Sequence, residues 1–348
     1  MHGARNSGRS MNIKSWITLA LACSAAISMV LLVGCAMDDG AGSDGVEQEP
    51  APQPATPDCL AMTTEAGMNM IKICGGSFEM GCTDGQTNCL DDEFPAHGVT
   101  LTRNFWLGQT DVTQTQWQAL MGSNPSYFST AGGGDDCGLD CPVELINWWE
   151  AISFANAASV DAGLEQCYTL SGCVGGLGNG CGLDGYCEAG PEDVYDTYTC
   201  ESVTVNSSTG SVYDCEGYRL PTEAEWEFAA RGGADQLYSG SDEIDDVAWY
   251  GETSGDEIHP VASKAPNAYG LYDMSGNSWE WTWDIYDQSY YHTAAPVDPE
   301  GAFSGNKRVF RGGCWESAVS VPRVASRDFN PPSYRCYDLG LRLARTIQ

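Results

Sequence analysis

The sixteen cysteines of this 348-residue chain constrain its fold more than any other feature. So many cysteines are unusual in a reducing cytosol, and they indicate either disulfides formed in an oxidising compartment or metal binding. Metal sites of this kind usually contain Cys-x-x-Cys pairs or histidines, whereas this chain has no such pair and only four histidines. The pattern therefore favours a disulfide-stabilised protein.

Six of the cysteines lie in one irregular, glycine-rich stretch, residues 167–215. A loop of this length forms no core by itself, and disulfides would lower the entropy of its unfolded state. We therefore predict a cysteine-rich insertion here. Pairing of near neighbours is expected for Cys82 with Cys89 and for Cys200 with Cys215, while the remaining connectivity stays open.

The amino-terminal segment has the layout of an export signal. Arg5, Arg9 and Lys14 precede an uncharged, mostly apolar run over residues 16–34, and Cys35 follows. The sequence Leu-Val-Gly-Cys that ends at Cys35 resembles a bacterial lipobox. We therefore predict a lipoprotein signal peptide over residues 1–34, with the chain starting at either Met1 or Met11, and lipidation of Cys35.

The alternative for this run is a single transmembrane anchor, because its length is close to that of a membrane span. Ala36 stands where an acidic residue can signal retention in the inner membrane, so an outer-membrane location in a bacterial cell envelope is expected. Residues 35–58 are rich in proline, glycine and acids, which predicts a flexible tether. Residues 59–348 contain no comparable linker and are expected to form one domain.

The charge of the chain excludes two classes of partner. Its formal net charge is −32, from 48 acidic residues against 16 lysines and arginines. A general nucleic-acid-binding protein needs a basic surface to neutralise phosphates, and the same holds for electrostatic attachment to anionic lipid. We therefore expect no nucleic-acid partner, and we expect membrane attachment only through the lipid anchor.

Short helices in a loop-rich body are the predicted architecture. Capping-box patterns start helices after Thr113, Asn147 and Thr222, and the pair Gly232-Gly233 would end the third. Strand candidates are residues 98–102, 105–107, 203–205 and 308–310. Helices and strands do not alternate regularly, which argues against a doubly wound sheet and favours an α+β fold.

A series of ordered motifs carries a family resemblance across nearly the whole of residues 59–348. The most specific are GYRLPTEAEWEFAAR at 217–231, GLYDMSGNSWEW at 270–281, RGGCW at 311–315 and LGLR at 339–342, and CGGSFEMG at 74–81 precedes them. Together they resemble the formylglycine-generating enzyme family, also called the sulfatase-modifying factor domain. The resemblance implies a loop-rich variant of the C-type lectin fold.

Active members of that family oxidise a cysteine of a sulfatase peptide to formylglycine, using copper that two cysteines bind. Counted from the RGGCW motif, the two copper positions fall here at Ser317 and Pro322. Proline has no side-chain donor, and a serine hydroxyl is a poor ligand for copper(I), which prefers soft thiolates. The resemblance therefore implies a protein that lacks the standard oxidase activity, and copper is not expected.

The only cysteines beyond Cys215 are Cys314 and Cys336. Cys314 replaces the serine of the family motif and is the one weak candidate for a catalytic residue. The two cysteines could form a displaced thiolate pair, but the oxidising compartment favours a disulfide between them.

The resemblance also implies a calcium site in the segment before the Trp-Glu-Trp motif. Asp273 and Glu280 would supply carboxylates, and Gly276 and Ser278 would supply backbone carbonyls. Calcium prefers six to eight oxygen ligands, which such a loop can provide.

Two classes of function remain open. One is a non-catalytic binding or scaffold module that presents a pocket formed by Trp279, Arg311, Cys314 and Trp315 to a peptide, a glycan or an envelope protein. The alternative is an oxidoreductase that makes formylglycine, or oxidises another protein or small molecule, with non-standard ligands.

Overall fold

The computed structural model describes residues 59–178 and 197–348. The expected signal peptide 1–34, the lipidation site Cys35 and the tether 35–58 lie outside these residues, as do Cys181 and Cys187 of the insertion. In the described part of the chain, no helix is both long enough and apolar enough to cross a bilayer.

The described residues contain four α-helices, and local capping signals favour the first three. Their bounds are α1 Gln114–Met121, α2 Trp148–Asp161, α3 Glu223–Arg231 and the single turn α4 Ile244–Val247. The first three begin with complete capping boxes, in which the cap side chain and the third helical residue satisfy each other's backbone N–H groups. All three predicted helix starts are confirmed. Gly232 ends α3 in the left-handed conformation that glycine adopts without strain.

Within residues 59–178 and 197–348, twelve short strands build four small sheets. Their bounds are β1 Met62–Glu65, β2 Met68–Ile73, β3 Ser77–Met80, β4 His97–Thr100, β5 Phe105–Gly108, β6 Tyr168–Ser171, β7 Ser202–Val205, β8 Trp279–Ile285, β9 Arg308–Arg311, β10 Arg327–Asn330, β11 Leu339–Leu341 and β12 Ala344–Thr346. The strand orders are β1-β2-β5-β12, β10-β9-β8-β11, β3-β4 and β6-β7. The four predicted strands correspond to β4, β5, β7 and β9.

Tryptophans on several elements form the centre of the core. Trp117 of α1, Trp148 of α2, Trp226 of α3 and Trp281 of β8 are all fully buried. Because large aromatic side chains bury the most apolar surface per residue, they let a chain with few regular elements form a continuous core. This core holds the ends of β8, β9 and β11 in place, and the candidate site lies at those ends.

The insertion forms an antiparallel hairpin of β6 and β7 that two disulfides fasten. Tyr168 lies opposite Val205, and the same register places Cys173 opposite Cys200, which are bonded to each other. Cys167 pairs with Cys215 at the base of the hairpin. The expected pairing of Cys200 with Cys215 is therefore wrong, because the register of the two strands selects the partner rather than proximity in sequence.

Three further disulfides are formed by near neighbours: Cys59–Cys74, Cys82–Cys89 and Cys137–Cys141. The predicted bond between Cys82 and Cys89 is confirmed. The prediction of a disulfide-stabilised, loop-rich α+β protein is also confirmed.

Candidate functional site

The RGGCW motif forms a tight turn at the end of β9. Gly312 and Gly313 both have positive φ angles, of 103° and 76°. A Cβ atom on Gly313 would lie 2.9 Å from the Cα atom of Pro322, so only glycine fits this approach. The turn directs Cys314 towards Asp338, which directly precedes β11, and β11 pairs in parallel with β8.

Cys314 is buried among polar partners rather than in a purely apolar pocket. Its Sγ atom donates a hydrogen bond to Oδ2 of Asp338 at 3.2 Å and lies 3.3 Å from Oγ of Ser317. Burial and the neighbouring Asp338 carboxylate raise the pKa of the Cys314 thiol well above its ordinary value. The thiol is therefore protonated at neutral pH.

Cys336 contacts the same carboxylate, that of Asp338. Burial, together with Asp338, raises the pKa of its thiol, and the thiol hydrogen-bonds this acid. Cys314 and Cys336 are both free thiols, so the expected disulfide between them is wrong. The physical reason is that each thiol bonds to Asp338 instead of to the other sulfur.

The two positions expected to lack copper ligands lie in this same loop. The Ser317 hydroxyl accepts a hydrogen bond from the backbone N–H of Cys314 at 2.9 Å. The Pro322 ring packs on Gly313, and its backbone oxygen accepts a hydrogen bond from Ser275. Both residues therefore have structural partners.

Trp315, the residue after Cys314, belongs to a group of packed aromatic rings. Trp315 packs on Tyr337 with ring centroids 5.5 Å apart and edge-on against Phe128 at 5.4 Å. The indole Nε1 of Trp315 has no hydrogen-bond partner, although only 6% of the residue is exposed. Trp279 adjoins this group through its backbone N–H, which donates to the carbonyl of Asp338.

Arg311 belongs to the core and does not line the expected pocket. Its guanidinium pairs with Glu227 and donates to the backbone carbonyls of Val324 and Ala325, and the side chain is fully buried. The sequence pattern was misleading because Arg311, which precedes the two glycines, donates hydrogen bonds to backbone carbonyls of the following loop and does not face a ligand site. Trp279, Cys314 and Trp315 are buried as well, but their side chains are not occupied by ion pairs, and they stay predicted ligand-binding residues.

The predicted calcium loop contains three left-handed residues, Asp273, Gly276 and Asn277. Asp273 accepts a hydrogen bond from the backbone N–H of Ala262 at 2.7 Å, and burial raises its pKa to about 6. The Gly276 carbonyl accepts from the N–H of Ser278, and the Ser278 side chain donates to the Trp279 carbonyl. The loop thus has a tight, oxygen-rich interior.

The Glu280 carboxylate, a predicted calcium ligand, already has two side-chain partners. Arg342 binds its carboxylate in a bidentate manner, and the Trp226 indole donates to it at 2.8 Å. Asp111, which sequence reasoning did not single out, is fully buried nearby, and neither of its carboxylate oxygens has a hydrogen-bond partner. Burial, followed by the nearby Glu280, raises its pKa well above the ordinary value.

The charges in this region fit a bound cation. The three acids Asp111, Asp273 and Glu280 have mutual electrostatic interactions, and the interacting arginine is Arg342. With all three acids ionised, the group carries an excess of two negative charges that calcium would balance through hard oxygen ligands. Asp273 and Asp111 have the most acceptor capacity left for such an ion.

Sequence reasoning named Asp273 and Glu280 but missed Asp111, Asp338 and Glu316. Asp338 stands directly before the LGLR motif, and Glu316 stands two residues after Cys314, but acids are too common in this chain for either to be conspicuous. The sequence carried no signal for Asp338 beyond its place between Cys336 and the LGLR motif. Asp111 lies two residues before Thr113, the capping residue of α1 that the sequence identified.

Comparisons with known proteins agree with these motifs. Residues 57–347 match the family model described as Sulfatase-modifying factor enzyme 1-like domain. The chain is 30% identical to the formylglycine-generating enzyme of Streptomyces coelicolor, over 85% of this chain and 95% of that relative. It is 29% identical to chaperone protein LppX of Paenibacillus barcinonensis, over 81% of this chain and 91% of that relative.

A solved structure with the same arrangement is Treponema denticola variable protein 1. It matches with a TM-score of 0.64 and 34% sequence identity, over 84% of this chain and 100% of that chain. The similarity thus extends across almost all of the described residues.

Proposed function

This chain belongs to the sulfatase-modifying factor enzyme 1-like domain family, and we propose that it is a polypeptide-binding module of the bacterial cell envelope that lacks the family's standard copper oxidase activity. Its fold is the loop-rich, disulfide-stabilised variant of the C-type lectin fold. The single observation that carries the proposal is the replacement of both copper-binding cysteines, at Ser317 and Pro322.

The family reaction depends on two thiolates that hold copper(I), because this soft ion binds sulfur far better than oxygen. At Ser317 the available donor is a hydroxyl that already interacts with Cys314. At Pro322 there is no side-chain donor. The two free thiols nearby, Cys314 and Cys336, share one carboxylate instead of occupying those two positions.

A binding role accounts for what the chain retains around these positions. Trp315, Tyr337, Phe128 and Tyr127 form a contiguous aromatic group in which both tyrosines are partly exposed, and aromatic residues are enriched at protein-recognition surfaces. The similarity to a relative named as a chaperone supports a polypeptide ligand over a glycan. A lipid on Cys35, followed by the tether 35–58, would keep this surface close to the membrane.

The test is a turnover assay that uses copper(I) and a sulfatase-type cysteine peptide, with mass spectrometry of the peptide. We expect no formylglycine from the wild-type chain, while the peptide still binds and quenches the fluorescence of Trp315. The matched variant carries Ser317→Cys together with Pro322→Cys, which restores both thiols and is expected to bind copper(I) tightly. Formylglycine production by the wild-type chain would overturn the proposal, and so would the absence of any polypeptide binding.

The second candidate, an oxidoreductase with non-standard ligands, is favoured by one observation: Cys314 and Cys336 remain reduced next to an acid. The same assay separates the two functions. Oxidation of a peptide or thiol substrate that is lost in Cys314→Ser would establish the oxidoreductase.

A further inference from the structure

Three donor atoms meet at the turn after β9. The Sγ atom of Cys314 and one carboxylate oxygen each of Glu316 and Asp338 lie within 4.8 Å of one another. We refer to these three residues as the thiol–carboxylate cluster. The distance from Sγ of Cys314 to Oδ2 of Asp338 is 3.2 Å. Sulfur and oxygen ligands of one tetrahedral zinc ion lie about 3.5 Å apart, given their usual bond lengths.

Among the described residues, Asp338 lacks the arginine partner that most buried glutamates have. Six buried glutamates each pair with an arginine: Glu93 with Arg323, Glu150 with Arg335, Glu223 with Arg327, Glu225 with Arg219, Glu227 with Arg311, and Glu280 with Arg342. Asp338 is only 8% exposed, and its side-chain partners are the thiols of Cys314 and Cys336. A buried carboxylate without a cation is costly, so a bound cation would supply the missing charge.

Two neighbouring groups could support an ion at this position. The Tyr337 hydroxyl hydrogen-bonds Oε2 of Glu316 at 3.1 Å, and the Cys336 thiol hydrogen-bonds Asp338. Hydrogen bonds of this kind orient metal ligands in known sites. The buried indole N–H of Trp315, the residue next to Cys314, has no partner and can donate to a water or ligand at the ion.

We propose that Cys314, Glu316 and Asp338 bind a zinc ion through one sulfur and two oxygens, with a fourth position open to water or to a ligand. A mixed thiolate and carboxylate donor set suits zinc, whereas calcium and magnesium avoid sulfur and copper(I) prefers sulfur alone. Three protein ligands and one open position are the usual arrangement of zinc sites that act on a ligand. On binding, the Cys314 thiol releases its proton to solvent and the sulfur forms the bond to zinc.

The experiment measures metal binding by the full chain, after a chelator has removed bound metal. Zinc is titrated against a chromogenic competitor, and cobalt(II) serves as a spectroscopic probe. We expect one zinc ion per chain that Cys314→Ser and Asp338→Asn remove, and a sulfur-to-cobalt charge-transfer band that Cys314→Ser abolishes. In Glu316→Gln, which changes an exposed side chain and spares the core, zinc affinity should fall by at least the roughly 10-fold to 100-fold that follows loss of a residue supporting a metal ligand.

The matched control is Asp256→Asn, because Asp256 is an exposed acid close to Glu316 but outside the cluster. Its zinc affinity should equal that of the wild-type chain. Three results would overturn the proposal: zinc binding without the cobalt band, binding that none of the cluster variants changes, or binding of copper(I) in preference to zinc. None of these readouts depends on peptide binding or turnover, so failure here is distinguishable from failure of the proposed function.

Discussion

At the scale of single residues, buried charge in this protein is organised around arginine. Arg219, Arg311, Arg323, Arg327 and Arg342 are almost completely buried, and each pairs with a glutamate from a distant part of the chain or from its own loop. The planar guanidinium matches a carboxylate with two parallel hydrogen bonds, which lysine cannot reproduce. Removing either partner would leave an uncompensated buried charge, a change that typically costs about 3–5 kcal/mol.

Asp111 and Asp273 are among the buried acids that no arginine binds in a bidentate manner, and they motivate a calcium prediction. Millimolar calcium should raise the melting temperature of the wild-type chain by a few degrees, because an ion that binds only the folded state stabilises it. Asp273→Ala should abolish the shift, and Asp111→Asn should reduce it. Differential scanning fluorimetry with and without a chelator measures both.

The variant Asp135→Ala removes an exposed acid, so it serves as the control and should keep the full shift in melting temperature with calcium. A wild-type melting temperature that does not respond to calcium would show that the acids are neutralised in another way, namely by protonation.

At the scale of elements, the helix starts could be predicted from local sequence, whereas several strands could not. The starts of α1, α2 and α3 were predictable, because a capping box is complete within four residues. Strands such as β1, β2 and β12 were not predicted. Each is only three to six residues long and exists through partners far away in sequence, such as β12 on β5.

The Cys167–Cys215 disulfide should contribute more to stability than the short Cys137–Cys141 bridge. The sequence separations are 48 and 4 residues, and a disulfide that closes a longer loop removes more entropy from the unfolded chain. Replacing Cys167 and Cys215 with alanine should lower the free energy of unfolding by about 3–4 kcal/mol, allowing for the inner Cys173–Cys200 bond.

The matched control replaces Cys137 and Cys141 with alanine, for which a loss of about 2 kcal/mol is expected. Urea denaturation followed by tryptophan fluorescence measures both losses. Equal losses for the two double variants would mean that the insertion is held by its packing and not by its disulfide.

At the scale of the whole molecule, the sheet topology joins the two ends of the described chain. The carboxyl-terminal β12 pairs with β5 in the same sheet as β1 and β2. Eight lysines and arginines lie between Lys307 and Arg345 against three acids. Five of these arginines are buried and form ion pairs with acids from earlier segments of the chain.

The location of the whole protein depends on Cys35. We expect the wild-type chain to incorporate a labelled fatty acid and to fractionate with the membrane. Cys35→Ser should lose the label and appear in the soluble fraction, because a lipid chain supplies most of the membrane affinity in such a protein. Cell fractionation with immunoblotting measures the distribution.

Cys23→Ser is the control, since it changes a cysteine within the predicted signal and should leave lipidation intact. If Cys35→Ser stays in the membrane without label, residues 16–34 act as a transmembrane anchor instead.

The candidate site was predictable in part. The absence of cysteine at positions 317 and 322 is a fact of sequence, and the motif that contains Cys314 located the turn after β9. The involvement of Asp338 and the free state of Cys336 were not predictable. They depend on the parallel pairing of β11 with β8, which places a carboxylate between two thiols 22 residues apart in the chain.

The sequence by itself determined the family, the loop-rich α+β fold, the helix starts and the absence of cysteine at positions 317 and 322, because each of these depends on residue identity at short range or in fixed order. Only the tertiary structure decided the partners of Cys200 and Cys215, the place of Arg311 in the core, and the thiol–carboxylate cluster. These features depend on strand register and burial, which arise when segments distant in sequence pack together.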